Sequence, residues 1–192
     1  MLQYLVLIGA VVQLYGVALY IRSIIQGGAK PNQVTWLMWS LAPLIATFAA
    51  LSDGVRWAVL PVFMSGFGPF LVFVSTLFVR ESYWRLGFFD YLCGSFSLLA
   101  LILWGVTDNP VVAIIFSIIA DGFAAVPTLR KAWTNPETET AAPYVTGLIS
   151  IFTSFAAITA WQFSQVAFPV YLVGVNSSLL FSIYRKRIFT HF

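Results

Sequence analysis

Asp121 is the residue whose type and position most demand a chemical explanation. It stands in the middle of an apolar run, 111–132, where an ionised carboxylate costs about 2.5–3.5 kcal/mol even on the lenient insertion scale. It must therefore be protonated, paired or facing water. Such a carboxyl can couple protons or accept hydrogen bonds from a solute; it can equally lock one helix to the next as a protonated or amide-paired side chain. Asn176-Ser177-Ser178 forms the densest uncharged polar cluster inside an apolar run. An amide offers two donors and an acceptor, suited to a hydroxyl-bearing or amide ligand. The same group can instead make an interhelical bond worth about 0.6 kcal/mol on average. Gln13 is a third polar group in an otherwise apolar segment. Trp36, Ser40, Pro43 and Thr47 follow at helical spacing and share one face, as do Pro143, Gly147, Ser150 and Ser154. Facing each other, these stripes would line a cavity in which Trp36 or Trp39 could stack on a ring. Tryptophans near a run's end also serve as interfacial anchors.

No metal, phosphate-binding or nucleophile-base motif accompanies these residues. Cys93 is the single cysteine and His191 the single histidine, so neither a disulfide framework nor a Cys or His metal site can be built. Nothing points to an enzyme, and no cofactor is expected. The formal charge of +3 comes from scattered Lys and Arg that form no phosphate-binding stripe, which argues against nucleic acid.

The elements that must position these side chains are membrane helices. The 192 residues are 60% hydrophobic and only 9% charged, with a mean hydropathy of +0.89, whereas soluble chains carry about 25% charged residues. A spanning helix needs roughly 20 apolar residues. Seven stretches qualify: 2–25, 34–51, 57–79, 86–106, 111–132, 142–161 and 166–184. Breakers separate them, among them Gly27-Gly28, Asp53-Gly54, Asp108-Asn109-Pro110 and Asn135-Pro136. A barrel would alternate in pieces of about 10 residues, and these runs do not. With the N-terminus outside, nine of the ten Lys and Arg fall on the cytoplasmic side, leaving only Arg56 outside. Trp36, Trp57, Trp84, Trp104, Trp133 and Trp161 lie near the ends of the runs. Pro43 and Pro127 interrupt helical runs and are candidate hinges or plain kinks. Asp90 reads as structural, paired with Arg85 or reaching the surface. Glu137 and Glu139 beside Arg130 and Lys131 read as a solvated charged loop or a cytoplasmic latch.

The chain also matches itself. A shift of 108 places Gln13 on Asp121, Arg22 on Arg130 and Pro61 on Pro169, and a shift of 107 places Thr47-Phe48-Ala49-Ala50 on Ser154-Phe155-Ala156-Ala157. Runs one to three thus map onto runs five to seven, leaving the fourth as an inverting linker. The expected fold is all-α, seven transmembrane helices arranged 3+1+3: residues 1–80 as a first triple-helix bundle, 81–109 as the linker helix and 110–192 as a second, parallel bundle. Parallel repeats of this kind build transporters whose site lies between the halves near the midplane.

The strings Ala29-Lys30-Pro31-Asn32-Gln33-Val34-Thr35-Trp36-Leu37 and Val126-Pro127-Thr128-Leu129-Arg130-Lys131 resemble the PQ-loop superfamily, which includes SWEET sugar transporters and Pnu-type vitamin transporters. With Asn109-Pro110, Asp121 and Pro136-Glu137-Thr138-Glu139, the pattern is similar to that of small prokaryotic members. The glutamine of the Pro-Gln pair is replaced by Thr128, and the first half reads Leu19-Tyr20 at the equivalent place. The resemblance implies a transporter in the prokaryotic cytoplasmic membrane, with an asparagine of the last helix, here Asn176, at the solute site.

The expected function is therefore a facilitator or proton-coupled transporter of a small polar solute such as a sugar, vitamin or amino acid. Its candidate site comprises Asn176, Asp121, Gln13, Ser40, Thr47, Trp39, Trp36, Ser150, Ser154 and Ser177, with Asp121 as the proton-coupling group. The alternative is a non-transporting receptor or membrane assembly subunit of the same fold. The partners are the lipid bilayer, the solute and protons, with homo-oligomerisation left open.

Overall fold

The computed structural model describes residues 4–79, 84–106 and 109–189. Arg80, Asp108 and His191 lie outside them, as do the side chains of Trp104, Lys186 and Arg187. The described chain is helical, without strands: α1 Leu5–Ile25, α2 Gln33–Ser52, α3 Leu60–Phe78, α4 Phe88–Gly105, α5 Pro110–Thr134, α6 Ala142–Ala157 and α7 Phe163–Phe189. Short 3-10 turns, Trp57–Val59 and Pro136–Thr138, precede α3 and α6.

The breakers act where their chemistry requires. Gly27 takes φ +75° after α1 and Gly54 φ +83° after α2, backbone conformations in which a Cβ would be strained. The Asn32 side chain caps α2 by accepting from the Thr35 N–H at 3.2 Å, and Asn109 caps α5 by accepting from Val111 at 2.9 Å and Val112 at 3.3 Å. Pro110 and Pro143 occupy first-turn positions, where a missing N–H costs nothing.

Five helices are long and apolar enough to cross a membrane: Leu5–Ile25, Gln33–Ser52, Trp57–Phe78, Pro110–Thr134 and Phe163–Arg185. Their outward faces carry Leu7, Ile8, Val11, Phe48, Phe70, Leu77, Ile119 and Val170, all exposed. An apolar exterior of this extent is the mark of an integral membrane protein rather than of a chain in water. α4 is also apolar, at 18 residues. α6 differs from the sequence expectation of 142–161: it has 16 residues and ends where Ile158 turns extended. At 1.5 Å per residue it is about 24 Å long, short of a hydrocarbon core of about 30 Å. The cause is a competing cap, since the Thr159 and Ala160 N–H groups donate to Gln165 Oε1 at 3.2 and 3.5 Å and α7 begins at Phe163.

α1 packs most extensively on α6 and also on α3; α2 packs on α3 and α5; α4 lies on α5 and α2; α7 closes against α5 and α6. Small residues permit the α1–α6 contact. A Cβ on Gly9 would come within 3.0 Å of the Ser150 Cα, and one on Gly16 within 2.8 Å of the Thr146 Cβ. The basic ends converge. Lys30 N–H donates to the Thr138 carbonyl at 3.0 Å and Trp84 N–H to the Pro31 carbonyl at 3.0 Å, while Arg185 donates to the Trp133 carbonyl. At the opposite end Tyr4 packs on Trp57, ring centroids 5.2 Å apart, beside Arg56. The two larger apolar clusters of the described interior are Tyr20, Trp36, Trp39, Ala124, Tyr144 and Leu179 toward the basic end, and Val6, Ala46, Ala58, Val62, Ile151 and Phe168 toward the other.

Candidate functional site

Between these clusters lies a cavity of about 540 Å³ of empty space, its mouth included, to which α1, α2, α3, α5, α6 and α7 all contribute. Five of the residues expected from the sequence meet there: Gln13, Trp36, Trp39, Asp121 and Asn176.

Asp121 is 2% exposed, and its Oδ2 accepts the Tyr171 hydroxyl of α7 at 2.7 Å. Oδ1 has no hydrogen-bond partner among the described residues. The Trp39 indole N–H donates to the Asp121 carbonyl at 3.3 Å, tying α2 to α5 at this depth. One turn on, the Thr35 hydroxyl donates to the Ala124 carbonyl at 2.8 Å, and Thr128 donates to Thr35 at 3.0 Å. Thr35 and Trp39 of α2 thus bond the α5 backbone in the turns just before Pro127. Asn176 Nδ2 donates to the Leu172 carbonyl at 2.8 Å, so Asn176 and Asp121 are not bonded to each other. Opposite Asn176 stands Gly147, where a Cβ would come within 3.3 Å of the amide oxygen; glycine leaves that acceptor open. Among the described residues the buried Gln13 carbonyl oxygen has no hydrogen-bond partner, a costly arrangement unless another group satisfies it.

An aromatic wall bounds the cavity toward the basic end. Trp36 lies 4.8 Å from Tyr20 and 5.4 Å from Trp39, and Trp39 lies 6.4 Å from Tyr144, all between ring centroids. Behind the wall the Tyr20 and Tyr144 hydroxyls donate to Glu139 Oε2 at 3.1 and 3.2 Å, and Glu139 Oε1 pairs with Lys131 Nζ at 2.5 Å. Lys131 also donates to the Lys30 carbonyl at 2.5 Å. Glu139 borders a second, polar cleft with Thr140, Ala141 and Tyr184, so Tyr144 and Glu139 partition the central cavity from that cleft. This corrects the solvated-loop expectation: Glu139 and Lys131 are buried and satisfied by each other. Asp90 is structural as expected, but bonds Asn32 Nδ2 at 2.7 Å and Gly87 N–H at 2.6 Å, while Arg85 is exposed.

The remaining sequence candidates lie elsewhere. The Ser40 hydroxyl is turned to the Leu37 carbonyl at 2.6 Å, and Thr47 bonds the Pro43 carbonyl at 2.8 Å while facing a shallow cleft near Arg56 and Trp57. Ser154 donates to the Ala58 carbonyl at 3.0 Å. Ser150 is fully buried, its hydroxyl without a partner among the described residues, against the Gly9 contact. Ser177 is exposed on the outer face of α7. Pro43 and Pro127 are buried inside uninterrupted helices. Of the tryptophans expected as anchors, Trp57, Trp133 and Trp161 are exposed, but Trp36 is buried at 2%. Sequence reasoning missed Tyr171 and Tyr144, and left the role of Tyr20, on one helical stripe with Gln13, undecided. The available signal was a phenol inside an apolar run, whose hydroxyl must find a partner when buried. Ser65 and Pro69 of α3 also line the cavity.

The chain matches no protein-family model, no curated protein and no solved structure.

Proposed function

We propose that the protein is a membrane transporter, a facilitator or proton-coupled carrier of a small polar solute such as a sugar, vitamin or amino acid, working by alternating access. The observation that carries this reading is the cavity itself: polar side chains from the middles of three helices, Gln13, Asp121 and Asn176, meet in a space that six helices share. Intramembrane polar groups that line a cavity are the usual mark of a solute pathway.

The packing supports a 3+1+3 arrangement. Exchanging α1, α2 and α3 with α5, α6 and α7 turns the α1–α6 contact into α5–α2, α1–α3 into α5–α7, and α2–α3 into α6–α7, and each of these contacts is present. The internal match agrees, since its partners Gln13 and Asp121 both reach the cavity, as do Trp36 and Pro143. In this reading residues 1–80 and 110–192 are two units that rock about the site, α4 is the inverting linker, and the chain is a SWEET-like member of the PQ-loop superfamily. The convergent basic end faces the cytoplasm and the N-terminus lies outside.

The test is solute flux in proteoliposomes under imposed pH gradients. Uptake or counterflow of one solute class supports transport. Binding without flux would favour the receptor reading, and neither binding nor flux of any solute would sink both.

A further inference from the structure

We propose that the central cavity takes a small organic amine cation with a flat apolar body, in preference to an anion, a zwitterion or a polyol. This narrows the solute class of the transport reading and rests on it.

The first argument is charge. Asp121 brings a carboxyl to the cavity wall, and among the described lining residues there is no Lys, Arg or His. Lys131, behind the aromatic wall, is spent on Glu139 at 2.5 Å and on the Lys30 carbonyl. A solute carboxylate or phosphate would enter a buried space with no counter-charge and with Asp121 opposing it. Burying an unpaired charge is strongly disfavoured, whereas an ammonium against a carboxylate is paired.

The second argument is the hydrogen-bonding pattern. Tyr171 occupies Asp121 Oδ2 and leaves Oδ1. The Asn176 amide donates one of its two N–H groups to Leu172, while Gly147 keeps its oxygen uncovered. The Gln13 carbonyl oxygen is buried without a partner among the described residues. Asp121 Oδ1 and the two amide oxygens accept, and an ammonium, which only donates, matches all three; a polyol hydroxyl would forgo the charge-assisted bond to the carboxylate.

The third argument is shape. Trp36, Trp39 and Tyr144 line one side with ring centroids 5.4 and 6.4 Å apart and successive planes at 82° and 80°. In this edge-to-face row a single ring can offer its face to a flat body or a cation while its neighbour offers an edge.

The test uses the full-length protein in lipid nanodiscs, with phenethylammonium as the probe. Phenylalanine adds a carboxylate to it, 2-phenylethanol replaces its ammonium by a hydroxyl, and glucose represents the polyols. Calorimetry should give phenethylammonium at least about tenfold tighter binding than each of the others. Asp121→Asn should erase its advantage over 2-phenylethanol, and Tyr171→Phe, which keeps the carboxyl, should retain it. Equal or tighter binding of phenylalanine, 2-phenylethanol or glucose, or no binding of the amine, overturns the proposal. If Asp121→Asn does not fold, the ranking in the native protein still decides. Counterflow in proteoliposomes separates the two readings. Glucose moved while the amine is ignored defeats the cation class and leaves transport standing. An amine bound but never moved defeats transport and leaves the cation class standing.

Discussion

Replacing Glu139 by glutamine removes one charge from the Lys131–Glu139 pair, whose side chains are 1% and 0% exposed. Breaking a buried pair by deleting one partner costs about 3–5 kcal/mol, because the remaining charge is left uncompensated. The low end applies here. The glutamine carbonyl can still accept from the tyrosines that now bond Glu139 at 3.1 and 3.2 Å, and Lys131 keeps the Lys30 carbonyl and its place 5.7 Å over the Trp84 ring. Glu139→Gln should therefore cost about 3 kcal/mol, roughly a 150-fold shift in the folding equilibrium at about 1.4 kcal/mol per tenfold. Lys131→Met should cost a similar amount. The double variant replaces a charged pair by a neutral one of similar volume and should return to within about 1 kcal/mol of the parent. The assay is reversible denaturant unfolding in micelles, followed by tryptophan fluorescence and analysed as a double-mutant cycle. A cost under about 1 kcal/mol for Glu139→Gln, or a double variant as unstable as the two singles summed, would refute the assignment of this pair as a buried clasp between α5, the loop before α6 and α1.

Two helix glycines should respond with opposite sign: Gly16→Ala meets the Thr146 side chain, held to the Ala142 carbonyl at 2.8 Å, and should lose about 1–3 kcal/mol by forcing α1 from α6. Gly174→Ala has open space around it and should gain up to about 1 kcal/mol from helix propensity; thermal unfolding of both variants checks the pair. Asn32→Ala removes the α2 cap and the Asp90 partner together and should cost at least about 1–2 kcal/mol, read by the same unfolding assay, with Asn32→Asp recovering the cap alone. If Asp121 couples protons to flux, Asp121→Asn has nothing to titrate at that position and flux should become independent of pH between about 5 and 8; an unchanged pH profile would remove Asp121 from that role.

Much of this was legible in the sequence because a bilayer imposes simple rules. An apolar run of about 20 residues flanked by breakers has few alternatives to a spanning helix, and all seven runs became helices. Asp121 and Gln13 stood out because a polar group in hydrocarbon is costly wherever it points. The tyrosines drew less notice because a phenol is mostly apolar, and only its partner reveals what the hydroxyl does. Ser40, Thr47 and Ser154 carried the right type at the right spacing but bond backbone carbonyls. Ser40 and Thr47 turn back on their own helix and Ser154 reaches the turn before α3, and periodicity registers neither choice.

From its residues alone the chain determined the number and order of its helices, the convergence of its basic ends, and the two mid-helix positions, 13 and 121, that had to be accounted for. These depend on transfer free energies and local backbone chemistry, which act residue by residue. Only the tertiary structure decided which polar groups share a cavity, that Gly147 leaves Asn176 open, that Tyr171 engages Asp121, and that Lys131 and Glu139 neutralise each other behind a wall of rings. Those relations join residues from different helices, up to 119 positions apart in the case of Tyr20 and Glu139, and they exist only once the helices are packed.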